Sequence, residues 1–395
     1  MTTQQVHCTR EASIALAQTT ESTRNRFLEH LMDCVGNKQR ELLKANKKDI
    51  MHAAKAGLSA PMVARLRLDA QGIHTMIQRI EEVKKLDSGL GSIREEKITA
   101  DGLRIRKVSV PLGVIFVIYE ARPEVTIDVA ALCIKSGNAA ILKGGSEALQ
   151  TNTVLYQCIE DALHRSALHP DTVRFVTKRS EVPYLLKQSG YIDLVIARGG
   201  YDLVKAVRSQ STIPVLSHAA GGARIYVDKS ADLLMARKII INAKVSKSAA
   251  CNSLDTIVIH ENIAAAFVPK ITSALKASGV EIVEHDWDTE FLGLRVSIKT
   301  VQNVGKAVAF IRLHSKGHSE GIVAEDQKVI DFFVQSIDAA AVFVNCSTRL
   351  HDGYVFGLGS EMGISTGKLH ARGPVGLKEL TTYKWEVYGH GHIRE

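Results

Sequence analysis

Residues 114–148 have the sequence VIFVIYEARPEVTIDVAALCIKSGNAAILKGGSEA, in which a helical segment joins two short apolar runs. The runs at 114–119 and 139–143 have the length and composition of buried strands. Pro123 stands where the helix begins and Gly137 stands just after it ends, which are the preferred positions of these residues. A strand, a helix and a second strand in this order predict a parallel pair within a doubly wound α/β sheet.

The same alternation continues along the chain. The first hundred residues have a helical pattern over about 12–45 and 60–86. Beyond the opening stretch, the sequence predicts a helix at 147–164, a strand at 192–197, a helix from Tyr201, a strand at 225–227, a helix at 231–243, a strand at 256–259, a helix at 264–277, a strand at 294–298, a helix at 301–313, and strands at 321–323 and 341–345. Two α/β series in 395 residues predict two domains, because one core rarely extends so far. We expect one domain at 1–222 and a second at 223–345, with 346–395 returning to the first.

A small β arm is predicted beside these domains, within about 97–110. Residues 98–108 alternate apolar and polar side chains around Asp101 and Gly102, which is a hairpin pattern. The segment 383–388 predicts a strand that pairs with this hairpin. Because exposed strands seek partners, we expect the arm to join subunits in a homo-oligomer.

The composition is that of a globular protein and limits the classes of partner. Hydrophobic residues make up 45% of the chain and aromatic residues 5%. The net charge of +8 would attract anions, but basic residues are scattered among acidic ones, as at 94–97 (REEK). No basic block is interleaved with aromatic residues, so the pattern favours an anionic small molecule over nucleic acid.

The cysteines and the hydropathy of the sequence indicate the cellular compartment of the protein. The six cysteines lie far apart and form no Cys-X-X-Cys pair, which favours a reducing compartment such as the cytoplasm. The first residues lack a basic region followed by an apolar one, so we expect no signal peptide. No apolar run approaches about 18 residues, so we expect no membrane-spanning segment. No metal site is predicted.

Cys251 is a candidate nucleophile. It lies among small residues between Ser248 and Ser253, just before a predicted strand. A thiolate can attack a carbonyl carbon and leave again in a later step. Lys244 and Lys247 are nearby cations that would favour the thiolate. Taken alone, the pattern is more typical of a buried cysteine that only packs in the core. Both interpretations stay open at this point.

Two glycine turns follow predicted strands and open predicted helices. They are residues 143–147 (KGGSE) and 198–200 (RGG). Backbone N–H groups at a helix start suit an anion, although glycine in such turns also serves ordinary tight connections. Neither turn has the Gly-X-Gly-X-X-Gly pattern, so neither alone identifies a dinucleotide site.

Two further segments contain residues that could bind a small anionic molecule. His218 stands before Gly221 and Gly222, where a structural role is the simpler interpretation. Residues 368–374 (KLHARGP) form a basic loop, which would suit a phosphate or a carboxylate as well as it suits plain solvation.

Together these segments resemble the γ-glutamyl phosphate reductase family, within the aldehyde dehydrogenase superfamily. Two strings are typical of that family within the superfamily: YEARP at 119–123 and KLHARGP at 368–374. Further matching strings run in family order over nearly the whole chain: PLGVI (111–115), VIYEARP (117–123), LKGGSEA (142–148), TIPVL (212–216), YVDK (226–229), NAK (242–244), CN (251–252), HSE (318–320), DAAAV (338–342) and GIST (363–366).

The resemblance implies the architecture and the cofactor. It implies a cofactor domain and a catalytic domain, both doubly wound around parallel sheets, with a small oligomerisation arm. The cofactor is then NADPH, and the expected cofactor-binding residues are Lys143, Ser146 and Glu147 near the adenosine, Gly199 and Gly200 near the pyrophosphate, and Phe356.

The resemblance also implies the reaction. Cys251 would attack the acyl phosphate of L-glutamyl 5-phosphate, and NADPH would reduce the resulting thioester to L-glutamate 5-semialdehyde, in the second step of proline biosynthesis. The backbone N–H of Cys251 is a candidate donor to the developing oxyanion. Functional coupling to glutamate 5-kinase is a further expectation. Contacts to the small acyl phosphate substrate are expected from Glu120, Arg122, His218, Asn252 and Arg372.

The sequence departs from the family's pattern near the expected active site. His218 stands about where hydrolytic aldehyde dehydrogenases carry a water-activating glutamate, and a reductase has no use for that base. Residues 245–249 replace a Thr-Gln-Arg-Pro-Gly-like string, and Val355 replaces an acidic residue before Phe356. Three alternatives follow: a hydrolytic aldehyde dehydrogenase, a catalytically weakened relative that binds or scaffolds, and a nucleic-acid binder suggested only by the net charge.

Overall fold

The computed structural model describes residues 1–217 and 221–394, apart from the side chains of residues 60 and 61. Its helices are, in chain order, α1 (Thr3–Ala17), α2 (Glu21–Asn37), α3 (Gln39–Lys55), α4 (Ala60–Leu66), α5 (Ala70–Lys85), α6 (Glu124–Lys135), α7 (Leu149–Arg165), α8 (Val182–Leu185), α9 (Tyr201–Gln210), α10 (Leu233–Val245), α11 (Glu261–Ala277), α12 (Val304–His314) and α13 (Gln327–Ser336). Among these residues, no helix has the length and apolar character needed to cross a membrane.

The strands are, in chain order, β1 (Ile93–Ile98), β2 (Arg104–Pro111), β3 (Val114–Tyr119), β4 (Ala139–Lys143), β5 (Val173–Phe175), β6 (Leu194–Arg198), β7 (Val215–Leu216), β8 (Ala223–Val227), β9 (Leu254–His260), β10 (Glu281–Val283), β11 (Arg295–Val301), β12 (Ser319–Val323), β13 (Ala341–Val344), β14 (Ile364–Ser365), β15 (Gly373–Pro374) and β16 (Thr381–Tyr388).

The chain divides into two compact units. Unit 1 comprises Met1–Ser217, Gly357–Gly363 and Val375–Glu395, and unit 2 comprises His218–Phe356 and Ile364–Pro374. Both units are therefore made from separate segments of the chain. The domain boundaries that the sequence predicts after residues 222 and 345 remain predictions.

Unit 1 contains a parallel sheet with the strand order β5-β4-β3-β6-β7. All six side chains of the central strand β3 are buried, as expected for a parallel strand covered on both faces. Ile115 of β3 pairs with Ala140 of β4 and with Leu194 of β6. The predicted strand–helix–strand unit is confirmed: α6 begins after Pro123 and ends before Gly137, whose φ is 73°.

The helical N-terminal part is divided more finely than the sequence predicted. The segment predicted at about 12–45 contains parts of α1, α2 and α3, and the segment at 60–86 contains α4 and α5. Side-chain caps set two of these breaks, because Thr20 and Asp69 accept backbone hydrogen bonds at the starts of α2 and α5. Strands β5 and β7 were not predicted, since such short segments carry little pattern.

The arm is an antiparallel sheet of β1, β2 and β16, and it belongs to unit 1. The hairpin closes where the Thr99 N–H donates to the Leu103 carbonyl oxygen at 2.9 Å, and Gly102 in its turn has a φ of 88°. β16 pairs with β2 along its whole length. This confirms the predicted pairing of the C-terminal strand with the hairpin. Trp385 and Val387 of β16 are more than half exposed.

Unit 2 contains a six-stranded parallel sheet with the order β10-β11-β9-β8-β12-β13. Neighbouring residues of its central strands enter different cores. Ile225 and Ile257 pack with α10 and α11, whereas Tyr226 and Val258 pack with α12 and α13. Helices therefore cover both faces of this sheet, and the predicted doubly wound α/β architecture is confirmed.

Candidate active site

Cys251 lies on a turn between the end of α10 and the start of β9, in unit 2. Two backbone hydrogen bonds shape this turn. The Ala250 N–H donates to the Lys247 carbonyl oxygen at 3.1 Å, and the Ser253 N–H donates to the Ala250 carbonyl oxygen at 3.0 Å. Cys251 is half-buried, so part of this residue lies at the surface of the turn.

Gly221 and Gly222 lie just before strand β8 and contact the Cys251 turn. The Gly222 N–H donates to the Cys251 carbonyl oxygen at 2.6 Å, and the φ of Gly222 is 110°, which favours glycine. A Cβ atom added to Gly221 would lie 2.6 Å from the Cβ of Cys251. Any larger residue at 221 would therefore displace the candidate nucleophile.

Asn252 ties this turn to a 3₁₀ turn at Thr348–Leu350. Its Nδ2 donates to the His351 carbonyl oxygen at 2.9 Å, and its carbonyl oxygen accepts from Thr348 Oγ1 at 2.8 Å. Its Oδ1 accepts a hydrogen bond from Arg349 Nη1. Asn252 is almost fully buried, so its amide joins two distant parts of the sequence.

Arg349 brings a guanidinium close to Cys251. Burial lowers the pKa of Arg349, while the negative charges of Cys251 and Asp352 oppose that shift. Arginine stays protonated at neutral pH, so this side chain supplies a positive charge near the Cys251 turn. Lys247, one of the two predicted cations, is exposed. Sequence reasoning missed Arg349; the available signal was the string STR at 347–349, two residues after the end of the strand predicted at 341–345.

Lys244, the other predicted cation, belongs to a buried group of four charges. Its Nζ lies 3.4 Å from Asp255 Oδ1, and Arg224 Nη1 lies 3.4 Å from Glu320 Oε1. The charge of Lys244 is therefore balanced by a carboxylate. Ser315 Oγ donates to Glu320 at 2.6 Å. Burial raises the pKa of Glu320 to about 7, against the opposing effect of Arg224.

His318, Ser319 and His351 form a buried hydrogen-bonded chain behind the Cys251 turn. Ser319 Oγ lies 2.8 Å from Nδ1 of each histidine. Burial lowers the pKa of His351 to about 4, so its ring is neutral at pH 7. Because the His351 carbonyl oxygen accepts from Asn252, this chain supports the segment that holds the turn.

The predicted cofactor turns lie together at one edge of the unit 1 sheet. The carboxyl ends of β3, β4 and β6 meet there, with Ile118 paired to Lys143 and Tyr119 paired to Arg198. The order of the strands reverses at β3, since β4 and β6 flank it on opposite sides. In open α/β sheets, ligands bind in the crevice beyond the carboxyl ends of the strands at such a reversal.

Gly199 and Gly200 form the connection from β6 to α9, and Glu120 packs against it. Glu120 Oε2 accepts a hydrogen bond from the Gly200 N–H at 2.8 Å. A Cβ atom on Gly199 would lie 2.5 Å from the same oxygen and 2.5 Å from Leu203 Cδ2, so a larger residue there would push these two side chains aside. Glu120, predicted to contact substrate, thus supports the predicted pyrophosphate turn.

Lys143, Ser146 and Glu147 surround the other glycine turn. Lys143 is nearly buried, and its Nζ donates to the Gly144 carbonyl oxygen at 2.5 Å. Burial lowers the pKa of Lys143, while the charge of Glu147 opposes the shift. Glu147 Oε1 accepts from the Ala121 N–H at 2.7 Å, and Ser146 is exposed. The turn therefore offers a cation, a hydroxyl and a carboxylate side by side.

The predicted substrate ligand Arg372 lies in the basic loop of unit 2. Its Nη1 donates to Asp338 Oδ1 at 2.6 Å, and Lys368 binds the other oxygen of that carboxylate. These two hydrogen bonds lower the pKa of Asp338. The basic loop 368–374 is thereby fixed to the segment before β13.

The remaining residues that were predicted to bind substrate or cofactor lie at three other places. Arg122 is half-buried where β3 leads into α6, in unit 1. Phe356 belongs to unit 2, where its ring stacks on His351 with 5.6 Å between ring centres. His218 lies outside the described residues.

Within 1–217 and 221–394, no group of three or more His, Cys, Asp or Glu side chains could hold a metal ion.

Comparison with known proteins gives consistent results. The model of the aldehyde dehydrogenase family matches residues 3–310. The gamma-glutamyl phosphate reductase of Caldanaerobacter subterraneus subsp. tengcongensis is 42% identical over 98% of this chain and 98% of its own, and that of Carboxydothermus hydrogenoformans is 43% identical over 98% and 97%. The crystal structure of gamma-glutamyl phosphate reductase from Thermotoga maritima matches with a TM-score of 0.95 and 40% identity, over 99% of both chains.

Proposed function

Because this chain belongs to the aldehyde dehydrogenase family, and within it to the gamma-glutamyl phosphate reductases, we propose that it reduces L-glutamyl 5-phosphate to L-glutamate 5-semialdehyde and phosphate. This is the second step of proline biosynthesis from glutamate, and it makes the chain an NADPH-dependent oxidoreductase. The observation that carries the proposal is the position of Cys251, a half-buried cysteine packed against Gly221 and next to Asn252, which binds Arg349.

Cys251 is the proposed nucleophile. Its thiolate attacks the carbonyl carbon of the acyl phosphate, the carbon–oxygen bond to phosphate breaks, and a thioester on Cys251 remains. Reduction at the thioester carbonyl carbon then breaks the carbon–sulfur bond, releases the semialdehyde and restores the thiolate. The backbone N–H of Cys251 is the proposed donor to the oxygen that gains charge in both steps.

Arg349 is proposed to keep the nucleophile charged. A cation near a thiol favours its thiolate form, and Arg349 remains charged at every relevant pH. The hydrogen bond from Arg349 to the Asn252 side chain fixes the guanidinium next to the Cys251 turn. The same charge would attract an anionic substrate. Lys244 is less suited to this role because Asp255 balances its charge.

The residues at the carboxyl edge of the unit 1 sheet fit a dinucleotide cofactor. When bound, NADPH supplies the hydride for the reduction. The glycine turn at 199–200 opens α9 at this edge, where a pyrophosphate would compete with Glu120 for the Gly200 N–H, and Glu147 offers a carboxylate to ribose hydroxyl groups. Lys143 and Ser146 suit a phosphate on the adenosine, which favours NADPH over NADH. Phe356 remains a proposed cofactor contact.

Several further expectations remain proposals. Arg122, Asn252 and Arg372 are proposed substrate contacts, as are Glu120 and His218. The exposed β arm is proposed to pair subunits, since an antiparallel sheet with exposed apolar side chains invites a partner. Coupling to glutamate 5-kinase would deliver the acyl phosphate directly, and a cytoplasmic location agrees with the scattered cysteines.

The proposal is tested by running the reaction backward. Purified protein is mixed with L-glutamate 5-semialdehyde, NADP⁺ and phosphate, and the absorbance of NADPH is followed for the wild type and for Cys251→Ala. We expect phosphate-dependent formation of NADPH that the substitution abolishes. Turnover without phosphate would instead indicate a hydrolytic aldehyde dehydrogenase. No turnover by a folded wild-type protein would favour the catalytically weakened relative.

A further inference from the structure

Asp49 is a buried carboxylate of α3 that the reaction scheme above does not use. Its oxygens accept three hydrogen bonds at the start of α7: from the Gln150 N–H at 3.1 Å, from the Thr151 N–H at 2.8 Å and from Thr151 Oγ1 at 2.6 Å. Ala148, the residue that precedes this helix, has no side chain that could cap it. A residue of α3, 102 positions away from Thr151 in sequence, therefore caps α7.

Asn46 lies one turn before Asp49 on the same face of α3 and supports the same contact. Its Nδ2 donates to Thr151 Oγ1 at 3.3 Å, so the Thr151 hydroxyl joins both side chains of α3. The Asn46 side chain also donates to the Leu66 carbonyl oxygen at 2.8 Å and accepts from the Leu68 N–H at 2.9 Å. Asn46, Asp49 and Thr151 are all buried, so these hydrogen bonds are shielded from water and fix α7 against α3.

The first N–H groups of α7 are used within the protein. Asp49 accepts from two of them, and the Leu149 N–H donates to the Ser146 carbonyl oxygen. A helix start with free N–H groups attracts a phosphate, but a ligand here would first have to displace a buried carboxylate. This favours the side chains of Lys143 and Ser146 over the helix start as donors to a phosphate.

The segment that leads into the capped helix carries two of the proposed cofactor residues. Ser146 and Glu147 form a 3₁₀ turn with Ala148, and α7 follows directly. Ala148 belongs to a buried apolar cluster with Ala53 of α3 and Leu66 of α4. The position of this 3₁₀ turn therefore depends on α3 as well as on strand β4, which precedes it.

We propose that Asp49 is a positioning residue for the cofactor: its cap on α7 sets Ser146 and Glu147 against the adenosine end of a nicotinamide dinucleotide. The additional phosphate of NADPH is bound by side chains of the turn, since Asp49 closes the helix start. This inference rests on the proposed function. A cap that served only stability would leave dinucleotide binding unchanged in the folded protein.

The first experiment measures the Kd of NADPH and of NADH from nucleotide fluorescence, for the wild type and for two variants. We expect Asp49→Ala to weaken the binding of both dinucleotides about tenfold, comparable to the loss of one hydrogen bond to a charged group. Asp49→Asn keeps an acceptor oxygen and should restore most of the affinity. The rate of Cys251 alkylation should be the same in all three proteins. Unchanged Kd values for Asp49→Ala overturn the proposal, and so does tighter binding of NADPH, which would show that the freed N–H groups of α7 hold its phosphate.

A matched control removes a helix cap elsewhere in unit 1. Asp69 caps α5 by accepting from the Gly72 N–H at 2.7 Å, so Asp69→Ala loses a cap without touching the cofactor turn. We expect this variant to have a slightly lower Tm and unchanged Kd values for both dinucleotides. Equal weakening of dinucleotide binding by Asp69→Ala and Asp49→Ala would show that lost stability alone is responsible, which overturns the proposal.

Thr151→Val is the milder variant if Asp49→Ala does not fold. It removes the Thr151 hydroxyl, which binds both Asp49 and Asn46, and keeps the backbone N–H. We expect both Kd values to rise about threefold, and the absence of any rise overturns the proposal. If the wild type binds NADPH but does not reduce NADP⁺ with L-glutamate 5-semialdehyde and phosphate, the proposed reaction fails while the role of Asp49 stands. A wild type that binds neither dinucleotide overturns both.

Discussion

The glycine turns of unit 1 and the Cys251 turn of unit 2 differ in what holds them. In unit 1, strands β3, β4 and β6 of one regular sheet end together, and the turns follow from that arrangement. In unit 2, Asn252 joins the Cys251 turn to residues near 350, and Gly222 joins it to β8. A site built from strand ends depends on its sheet, whereas a site built from side-chain ties depends on a few individual residues. Single substitutions should therefore damage the Cys251 turn more.

The largest effect is expected for Gly221→Ala, which tests the tight fit of the Cys251 turn. The added methyl would lie 2.6 Å from Cys251 Cβ and must displace it. We expect kcat to fall about 100-fold, since displacing a reacting group by about 1 Å costs that much, with the KM for NADPH nearly unchanged. Gly190→Ala is the control, because a Cβ atom there meets nothing within 4 Å. Similar losses in both variants would contradict the prediction.

A smaller effect is expected for Arg349→Met, which removes the cation tied to Asn252. The rate of Cys251 alkylation at pH 7 should fall about tenfold, because less of the thiol is ionised without a nearby positive charge. The fall should shrink as the pH is raised, which distinguishes a charge effect from misfolding. Arg237→Met removes an exposed arginine of α10 and should leave the rate unchanged. A pH-independent fall would point to a disturbed turn instead.

In unit 1, Lys143→Met tests whether the glycine turn carries cofactor selectivity. We expect the KM for NADPH to rise about tenfold and that for NADH to change little, since only NADPH has the extra phosphate. Cys251 alkylation is the internal check and should stay the same. Lys187→Met, at an exposed lysine of the same unit, is the matched control. Parallel changes in both KM values would argue against a contact between Lys143 and that phosphate.

The smallest effect is expected in stability, from Glu320→Gln. The pKa of Glu320 in the folded protein is about 7, above its ordinary value of 4.5, so the folded state keeps a proton that the unfolded chain loses. This contribution to stability is complete below about pH 4.5 and is lost as the pH rises to about 7. The Tm of the wild type should therefore fall by a few degrees relative to the variant between pH 5 and pH 8. Glu325→Gln, an exposed carboxylate, should show no such trend.

The fold could be predicted where local pattern and tertiary structure agree. β3, α6 and β4 carry an apolar run, a proline before the helix and a glycine after it, and each signal was confirmed. The strand β16 was also predicted with its partner, because its pattern and that of the hairpin both indicate exposed strands. The breaks between α1, α2 and α3 could not be placed, since helix-forming residues continue across them.

The site could be predicted only in part. The two glycine turns directly follow predicted strands, and Cys251 lies just before one. These positions next to strands made them candidate site residues. Arg349 lies in a single 3₁₀ turn, 98 residues after Cys251 in sequence, where no periodicity marks it. Its place near the Cys251 turn depends on its hydrogen bond to Asn252, which no local pattern contains.

The pairing of β16 with β2 has a consequence for how the protein is made. Pro111 of β2 and Thr381 of β16 are partners that lie 270 residues apart in the sequence. At a translation rate of about 5–20 residues per second, the nascent hairpin waits for tens of seconds with one edge open. Open edges recruit other chains, and charged side chains discourage this. The charged residues of β1 and β2 would thus act as a safeguard during synthesis, before the last strand arrives to cover the edge.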